Sequence, residues 1–187
     1  MTRKIFLILI LAFCSAPSHS LWSAGNRAVS SYELEAAYLI HFLEFVDWPS
    51  SAFRGSDSPY IIGILGDDPF GGQLERQVSG KLFNGRKVMV RQFGGFDAGD
   101  VEGFLACHIL FVSGSEKNRL TAILRKLHKS PILTVSEIDK FPIFGGIIQF
   151  DQEGKKIRLN LNPQAAKAAH LRIRARLLQV CRIYRPE

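Results

Sequence analysis

The chain has 187 residues, 47% of them hydrophobic, and a formal net charge of +7 at pH 7. A chain of this length forms one domain and buries a substantial core unaided, so stability requires neither a metal ion nor disulfide bonds. The basic residues are scattered, apart from a patch near the C-terminus, and form no long run of the kind found in nucleic-acid-binding tails. Nucleic acid is therefore not an expected partner.

The N-terminus has the features of a secretory signal peptide. A basic start is followed by an unbroken apolar run over residues 5–13, and small residues follow at Ser18 and Ser20. The run is less than half of the about 20 apolar residues that a membrane-spanning helix needs. A lipid anchor on Cys14 is disfavoured, because Phe13 stands where a lipoprotein signal has a small residue. We predict a cleaved signal peptide over residues 1–20 and export from the cytoplasm.

After an N-terminal extension over residues 21–30, one domain is predicted over residues 31–187. Its first helix begins at the capping box formed by Ser30 and Glu33 and ends before Trp48. The apolar residues follow helical spacing and cover both flanks, so this helix should be largely buried. We interpret His41, which lies on the apolar stripe, as a hydrogen-bonded core or interface histidine.

Four short segments are predicted to be strands of a mainly parallel sheet. They cover residues 60–66, 86–93, 107–112 and 132–135; the second alternates basic and apolar residues like a half-exposed strand. A helix opened by Asp68-Pro69 and ending near Val78 follows the first strand, and a helix capped by Ser115 follows the third. The order of strands and helices implies crossover connections, which produce parallel pairing.

The C-terminal part changes character. Residues 144–150 and 156–161 flank a turn signal and should form an antiparallel hairpin at the sheet edge. A last helical segment is predicted over residues 165–182, interrupted around Leu171–Ile173. The predicted fold is therefore a single three-layer α/β domain, with helices on both faces of a mainly parallel sheet and a C-terminal hairpin at its edge.

No catalytic motif is recognisable in the sequence. Its glycines do not match the dinucleotide fingerprint, and neither a nucleophile elbow, a phosphate-binding loop nor metal-ligand histidine spacing occurs. Cys107 and His108 are neighbours on a strand, so their side chains point to opposite faces and do not form a nucleophile and base pair. Asp67 and Asp68 are interpreted as part of a helix cap rather than a metal or acid–base site. We predict a non-enzymatic protein without cofactor or metal.

One hypothesis places a ligand pocket at the carboxyl ends of the strands, where open α/β sheets hold their sites. Its predicted lining is Gly66, Asp67, Ser113, Gly114 and Ser136, with Arg172 or Arg174 reaching in. This pocket defines one of two functional hypotheses, a periplasmic small-ligand sensor.

Two further features remain open at the level of sequence. Cys107 and Cys181 of the exported chain either form one disulfide or stay as free thiols, and their spacing does not decide between these states. Arg172, Arg174 and Arg176 form the densest basic cluster. We favour a solvated surface for it over an anionic ligand or an acidic partner.

Several stretches together resemble the YfiR/HmsC family of periplasmic regulators. They are residues 36–49 (AAYLIHFLEFVDWP), 64–70 (ILGDDPF), 107–113 (CHILFVS), 133–135 (LTV), 145–150 (GGIIQF) and 157–162 (IRLNLN), followed by an Ala-rich segment and Leu177-Leu178. Each piece alone is a weak signal, but their order and spacing are specific and span nearly the whole exported chain.

The resemblance implies the second functional hypothesis. A protein of this family is a periplasmic α/β regulator that binds the periplasmic domain of an inner-membrane diguanylate cyclase and represses it, lowering cyclic di-GMP and biofilm formation. An outer-membrane lipoprotein with a peptidoglycan-binding domain can sequester such a regulator, and homodimers are common. For this chain we expect partner contacts on three surfaces, represented by Trp48, by Gln149 and Arg158 of the hairpin, and by Arg172, Arg174 and Arg176.

Overall fold

The structure is a computed structural model that describes residues 31–97, 101–154 and 156–185. The predicted signal peptide, the N-terminal extension and Ser30 of the capping box lie outside the described residues. The described part contains six α-helices and ten strands. The helices are α1 (Ser31–Phe45), α2 (Gln73–Val78), α3 (Val101–Leu105), α4 (Leu120–Leu127), α5 (Pro163–Ala168) and α6 (Ala175–Val180).

The strands form one large sheet and one small ladder. They are β1 (Val46–Asp47), β2 (Tyr60–Leu65), β3 (Leu82–Phe83), β4 (Arg86–Phe93), β5 (Ile109–Val112), β6 (Leu133–Ser136), β7 (Ile148–Glu153), β8 (Lys156–Leu161), β9 (Arg172–Ile173) and β10 (Cys181–Ile183). The large sheet has the order β10-β8-β7-β6-β5-β2-β4-β3, and β1 and β9 form the small two-stranded ladder. In the large sheet the β7–β8 and β3–β4 pairs are antiparallel and the others are parallel. The predicted mainly parallel α/β fold is confirmed.

Helices cover both faces of the sheet, which makes three layers. The side chains of β5 alternate between the faces, so Ile109 and Phe111 join one core cluster while Leu110 and Val112 join the other. Buried residues of α1, α2, α5 and α6 belong to the first cluster, and those of α3 and α4 to the second. We call these the α1 face and the α4 face.

Helix α1 packs largely buried on the sheet, as the sequence predicts. Its buried face carries Leu39, Ile40 and Leu43, however, while His41 is exposed and lies 3.6 Å from Glu44 through its Nδ1 and the Glu44 Oε2. The interpretation of His41 as a core histidine is therefore wrong. Because both flanks of this helix are apolar, its periodicity does not reveal which flank faces the sheet.

Two predicted helix starts are displaced. Asp68 closes a local turn, accepting a hydrogen bond from the Phe70 backbone N–H at 2.8 Å. Gly71 and Gly72 then have positive φ angles of 55° and 75°, so the helix begins only at Gln73. Before α4, Ser113 rather than Ser115 is the N-cap, and a 3₁₀ turn over Gly114–Arg119 precedes the α-helix. The apolar stripe predicted for α4 is buried.

The predicted hairpin is present at one end of the sheet, where β7 and β8 pair in antiparallel register. The predicted C-terminal helix is interrupted by β9 at Arg172–Ile173, as expected. The end of the predicted helix is wrong, because residues 181–183 form β10, which pairs with the outer side of β8. The sheet supplies hydrogen bonds there that a helix end lacks, and this outweighs local helical spacing.

Candidate functional sites at the two ends of the sheet

The residues predicted to line a ligand pocket do come together at the carboxyl ends of β2, β5 and β6. The backbone N–H of Asp67 donates to Ser115 Oγ at 3.0 Å, and that of Gly114 donates to Glu137 Oε1 at 3.4 Å. Ser136 Oγ donates to the carbonyl of Val112 at 2.6 Å and accepts from the Ile138 N–H at 3.0 Å. The sequence therefore located a real junction of strand ends.

This junction is closely packed and leaves no room for a ligand. Gly66 has a φ of +90°, and a Cβ at that position would collide with Ser115 Oγ and lie 2.9 Å from the Glu116 Cγ. The polar groups of the junction satisfy one another, which leaves Ser113 and Ser136 buried. Three cavities in the described part of the chain, of about 350, 340 and 890 Å³, are lined by other residues.

The expectation that Arg172 or Arg174 reaches into this junction is wrong. Both guanidinium groups bind Asp47, which follows α1, with N–O distances of 2.9 Å from Arg172 and 2.6 Å from Arg174. The backbone N–H of Arg174 also donates to the carbonyl of Phe45. Asn84 Nδ2 contacts both the Leu43 carbonyl near the end of α1 and the hydroxyl of Tyr60 at the start of β2, so the end of α1 lies at the amino ends of the strands, opposite the junction.

Sequence reasoning missed a buried carboxyl group near the carboxyl ends of the strands. Glu35 on α1 is 3% exposed, and its Oε2 has no hydrogen-bond partner within the described ranges. Burial, assisted by the negative charge of Glu137, raises the pKa of Glu35 to about 8. Burial and the same Glu137 also raise the pKa of Tyr32. In the sequence, no local pattern distinguishes Glu35 from Glu33 and Glu44, the other acidic residues of the same helix.

This acidic group does not amount to a metal centre. Among the described residues, no three His, Cys, Asp or Glu side chains converge as metal ligands. Asp68 is occupied structurally, because its Oδ1 closes the turn at Phe70 and its Oδ2 accepts from Gln92 Nε2 at 2.9 Å. Its role is that of a turn residue, close to the cap predicted for it.

An aromatic cluster surrounds His108 at the amino ends of the strands. The rings of Trp48, Phe53 and Tyr60 have centroids 6.0, 4.5 and 5.2 Å from the imidazole. Trp48 Nε1 donates to the His108 carbonyl at 3.1 Å, so this half-buried indole ties the end of α1 to β5. Trp48, predicted as a partner contact, thus has an evident packing role.

Cys107 and His108 point to opposite faces of the sheet, as the sequence predicts. Cys107 packs in the core of the α4 face, and its Sγ lies 3.7 Å from the Gly103 carbonyl oxygen, whereas His108 lies on the α1 face. Both Cys107 and Cys181 are free thiols in the structure, Cys107 buried and Cys181 half-buried. Burial raises the pKa of each thiol to about 12, so neither is an activated nucleophile.

The hairpin residues predicted as partner contacts lie in a second region. Gln149 is buried and lines the cavity of about 340 Å³, which we call the hairpin groove; it is also lined by Ile143, Asn160, Arg182 and Ile183. Arg158 pairs with Glu153 at 2.9 Å, and Arg182 approaches the same carboxylate. The remaining predicted contact, Arg176, is exposed on α6. The six predicted contacts therefore form no single surface. Gln149 and Arg158 lie on the hairpin, whereas Trp48, Arg172 and Arg174 lie near the end of α1.

Comparison with known proteins identifies the family. A protein-family model described as YfiR/HmsC-like matches residues 32–182, which includes nearly every described element. A search among curated proteins finds no significant match to the chain. Within the described ranges, no helix has the length and apolar character needed to cross a bilayer. The chain belongs to the YfiR/HmsC-like family, whose members are regulatory proteins of diguanylate cyclase pathways rather than catalysts.

Proposed function

We propose that this chain is a periplasmic regulator that binds the periplasmic domain of an inner-membrane diguanylate cyclase and holds the enzyme inactive. Its activity would lower cyclic di-GMP and biofilm formation. The observation that carries the proposal is the match to the YfiR/HmsC-like family over residues 32–182. The pathway comes from the family, whereas direct repression of a cyclase is our inference.

The hairpin groove is the surface that supports partner binding best. Ile143 and Phe144 beside it are 59% and 51% exposed, and Ile183 of the edge strand β10 is 37% exposed. Exposed apolar anchors next to arginines are the composition that interface centres favour. The groove is also lined by charges of both signs, Asp139 and Asp151 as well as Lys140, Arg182 and Arg185, so a mainly apolar partner segment would fit it.

Repression requires no catalytic group in the regulator. The regulator shifts the cyclase toward an inactive conformation only by binding that conformation more tightly than the active one. A preference of about 3 kcal/mol suffices for roughly a hundredfold shift in the ratio of the two states. A groove anchored by two or three apolar side chains supplies a difference of that size if the active cyclase presents a different surface.

The cellular test measures intracellular cyclic di-GMP in the source bacterium after deletion of this gene. We expect the level to rise, and to return when an exported copy is supplied but not when the copy lacks residues 1–20. An unchanged level after deletion would contradict repression of a cyclase.

The binding test compares two substitutions of exposed apolar residues. Ile143→Asp should weaken binding to the cyclase periplasmic domain at least tenfold, because it places a charge at the groove. Leu82→Asp is the matched control. Leu82 is 62% exposed, but it lies on β3, the edge strand opposite β10 in the large sheet. Calorimetry at low salt measures the affinity of both variants for the cyclase domain. Equal affinities of the two variants would exclude the hairpin groove as the binding surface.

Two further associations are proposed from the family. An outer-membrane lipoprotein with a peptidoglycan-binding domain would sequester the regulator, and the regulator would form a homodimer. Sedimentation of the purified protein over a range of concentrations tests the dimer, and competition between lipoprotein and cyclase domain tests sequestration. Simultaneous binding of both partners without loss of affinity would argue against sequestration.

A further inference from the structure

A cavity of about 890 Å³ opens at the amino ends of β2 and β5, away from the hairpin groove. We call it the amino-end cavity. Its walls come from the 3₁₀ turn after α1, the starts of β2 and β5, strand β4, helix α3 and the loop before β6.

Three cationic side chains line this cavity against one acidic side chain. The cations are Arg54, Arg91 and Lys129, and none of them has a carboxylate partner within the described ranges. Several other arginines of the protein are paired: Arg119 with Glu116, Arg158 and Arg182 with Glu153, and Arg172 and Arg174 with Asp47. The cavity thus has three unpaired positive charges on one concave surface, where they attract an anion.

Arg91 lines this cavity from β4. It is paired in register with Gly63 of β2, whose open side faces the Cys107 Sγ, so Arg91 and Cys107 lie on the same face of the sheet. Guanidinium groups bind carboxylate and phosphate oxygens through two parallel hydrogen bonds. A pair of arginines on different walls, Arg54 and Arg91, therefore suits an oxyanion.

The same cavity exposes apolar surface to solvent. Met89 and Leu105 are each 45% exposed, one on β4 and one on α3, and Ile61 and Ala106 continue the apolar wall. Burying such surface under a ligand contributes about 25 cal/mol for each Å² removed from water. The cavity has the volume of ordinary ligand sites, which range over roughly 300–1,000 Å³. It therefore has room for an apolar body as well as a charged group.

We propose that the amino-end cavity binds a small anionic amphiphile, with an oxyanion head group held by Arg54, Arg91 and Lys129 and an apolar body packed on Met89 and Leu105. This proposal does not rest on the proposed repression of a cyclase, and it places the ligand at the end of the sheet opposite to the one predicted from sequence. A ligand there would contact the loop that carries Trp48 and Phe53, and so the end of α1.

The test uses decanoate, decanol and inorganic phosphate as probes, with protein purified from a host that expresses the full-length gene. Decanoate and decanol have the same apolar chain, and only decanoate carries a charge at neutral pH. Isothermal calorimetry should give decanoate a dissociation constant at least ten times lower than that of decanol and of phosphate. Equal affinity for decanoate and decanol, or for decanoate and phosphate, would overturn the assignment to an anionic amphiphile.

Two variants locate the site. Arg54→Gln combined with Arg91→Gln should raise the decanoate dissociation constant at least tenfold and leave decanol binding unchanged. Arg125→Gln, on the exposed side of α4, is the matched control and should behave like the wild type. Both positions of the double variant are exposed, so folding should be retained, which thermal melting verifies. If Arg125→Gln weakened decanoate binding as much as the double variant does, or if the double variant bound decanoate like the wild type, the ligand would bind elsewhere and the proposal would be refuted. Absence of decanoate binding to the wild type up to the solubility limit of decanoate would also refute it.

Discussion

His108 accepts a hydrogen bond through Nδ1 from the backbone N–H of Ile61, at 3.1 Å, in the buried space between β5 and the start of β2. An accepting Nδ1 carries no proton, so the imidazole is neutral with its proton on Nε2. Burial, assisted by the positive charge of Arg86, lowers the pKa of His108 to about 4. One side chain thus joins two strands only in its uncharged form.

This bond predicts loss of stability in mild acid. The unfolded chain takes up a proton on His108 below about pH 6.5, whereas the folded chain does so only below about pH 4. The free energy of unfolding therefore decreases as the pH falls through this window. We expect His108 to lower the free energy of unfolding by about 2 kcal/mol across this window. This is less than the free energy that corresponds to the full pKa shift, because solvent at the strand ends screens the charge.

His108→Asn separates titration from hydrogen bonding, since the Asn Oδ1 can accept the same N–H. Urea unfolding between pH 4 and 7 should show a smaller pH dependence for this variant than for the wild type. The exposed His128→Asn should keep the wild-type dependence. Parallel curves for wild type and His108→Asn would contradict this account.

Glu35 predicts the opposite trend. Its pKa is raised to about 8 in the folded chain, so the folded chain holds a proton that the unfolded chain releases above about pH 4.5. Stability is therefore lost as the pH rises from about 4.5 to 8. Glu35→Gln should raise the free energy of unfolding at pH 8 by about 2 kcal/mol and change it much less at pH 5, after allowance for screening.

The control for Glu35 is the exposed Glu44→Gln on the same helix. Thermal or urea unfolding of both variants at pH 5 and pH 8 provides the comparison. A Glu35→Gln variant that is less stable than the wild type at pH 8 would show that the buried carboxylate is compensated by a partner.

The central strands could be predicted from sequence because their signal is local. Strands β2 and β5 are continuous apolar runs, and all their residues are buried, as the sequence suggests for a strand covered on both faces. Strand β4 alternates half-buried and exposed positions from Arg86 to Arg91, as expected of a half-exposed strand, although the apolar Met89 is among the exposed ones. Fold class follows from the order of such elements, so it was accessible without tertiary information.

The sites could not be predicted in the same way, because they depend on distant pairs. Asp47 and Arg174 meet across 127 positions of the chain, and nothing in either neighbourhood indicates the other. The alternate spacing of Arg172 and Arg174 indicates a solvated surface, whereas in the structure Arg172 on β9 and Arg174 directly after β9 both bind Asp47. The amino-end cavity is lined by residues from five separate stretches of the chain, so no local pattern in the sequence indicates it.

The double ion pair of Asp47 should stabilise the packing of the C-terminal region on α1. Hydrogen bonds from Arg174, and then from Arg172, lower the pKa of Asp47 below its ordinary value of 3.8. Its contribution is therefore present at neutral pH and lost as the pH falls below about 4. Asp47→Asn should lower the free energy of unfolding by about 1 kcal/mol at pH 7, because the pair is partly exposed.

The arginine partners should differ in effect. Arg174 is less exposed than Arg172 and makes the shorter contact, so Arg174→Gln should cost more than Arg172→Gln. Arg176→Gln, an exposed neighbour on α6, serves as the control and should leave the urea midpoint unchanged. A midpoint for Arg174→Gln equal to that of Arg176→Gln would show that the pair with Asp47 contributes nothing.

The state of the two thiols predicts their reactivity. Burial raises the pKa of Cys107 and of Cys181 to about 12, so at pH 8 almost no thiolate is present at either position. Because alkylation requires the thiolate, iodoacetamide should modify neither cysteine of the folded protein within the time that modifies a free peptide thiol. In guanidinium without reductant, both cysteines should be alkylated rapidly, as peptide mass spectrometry can measure.

The alkylation experiment also distinguishes free thiols from a disulfide in the exported protein. If Cys107 and Cys181 are alkylated after unfolding only when a reductant is added, they are paired, and the free state of both thiols is contradicted. A Cys181→Ser variant serves as the control for assignment, because Cys107 alone can then react. Cys107 is the more buried of the two, so its modification in the native state should be the slower one and should follow opening of the α4 face.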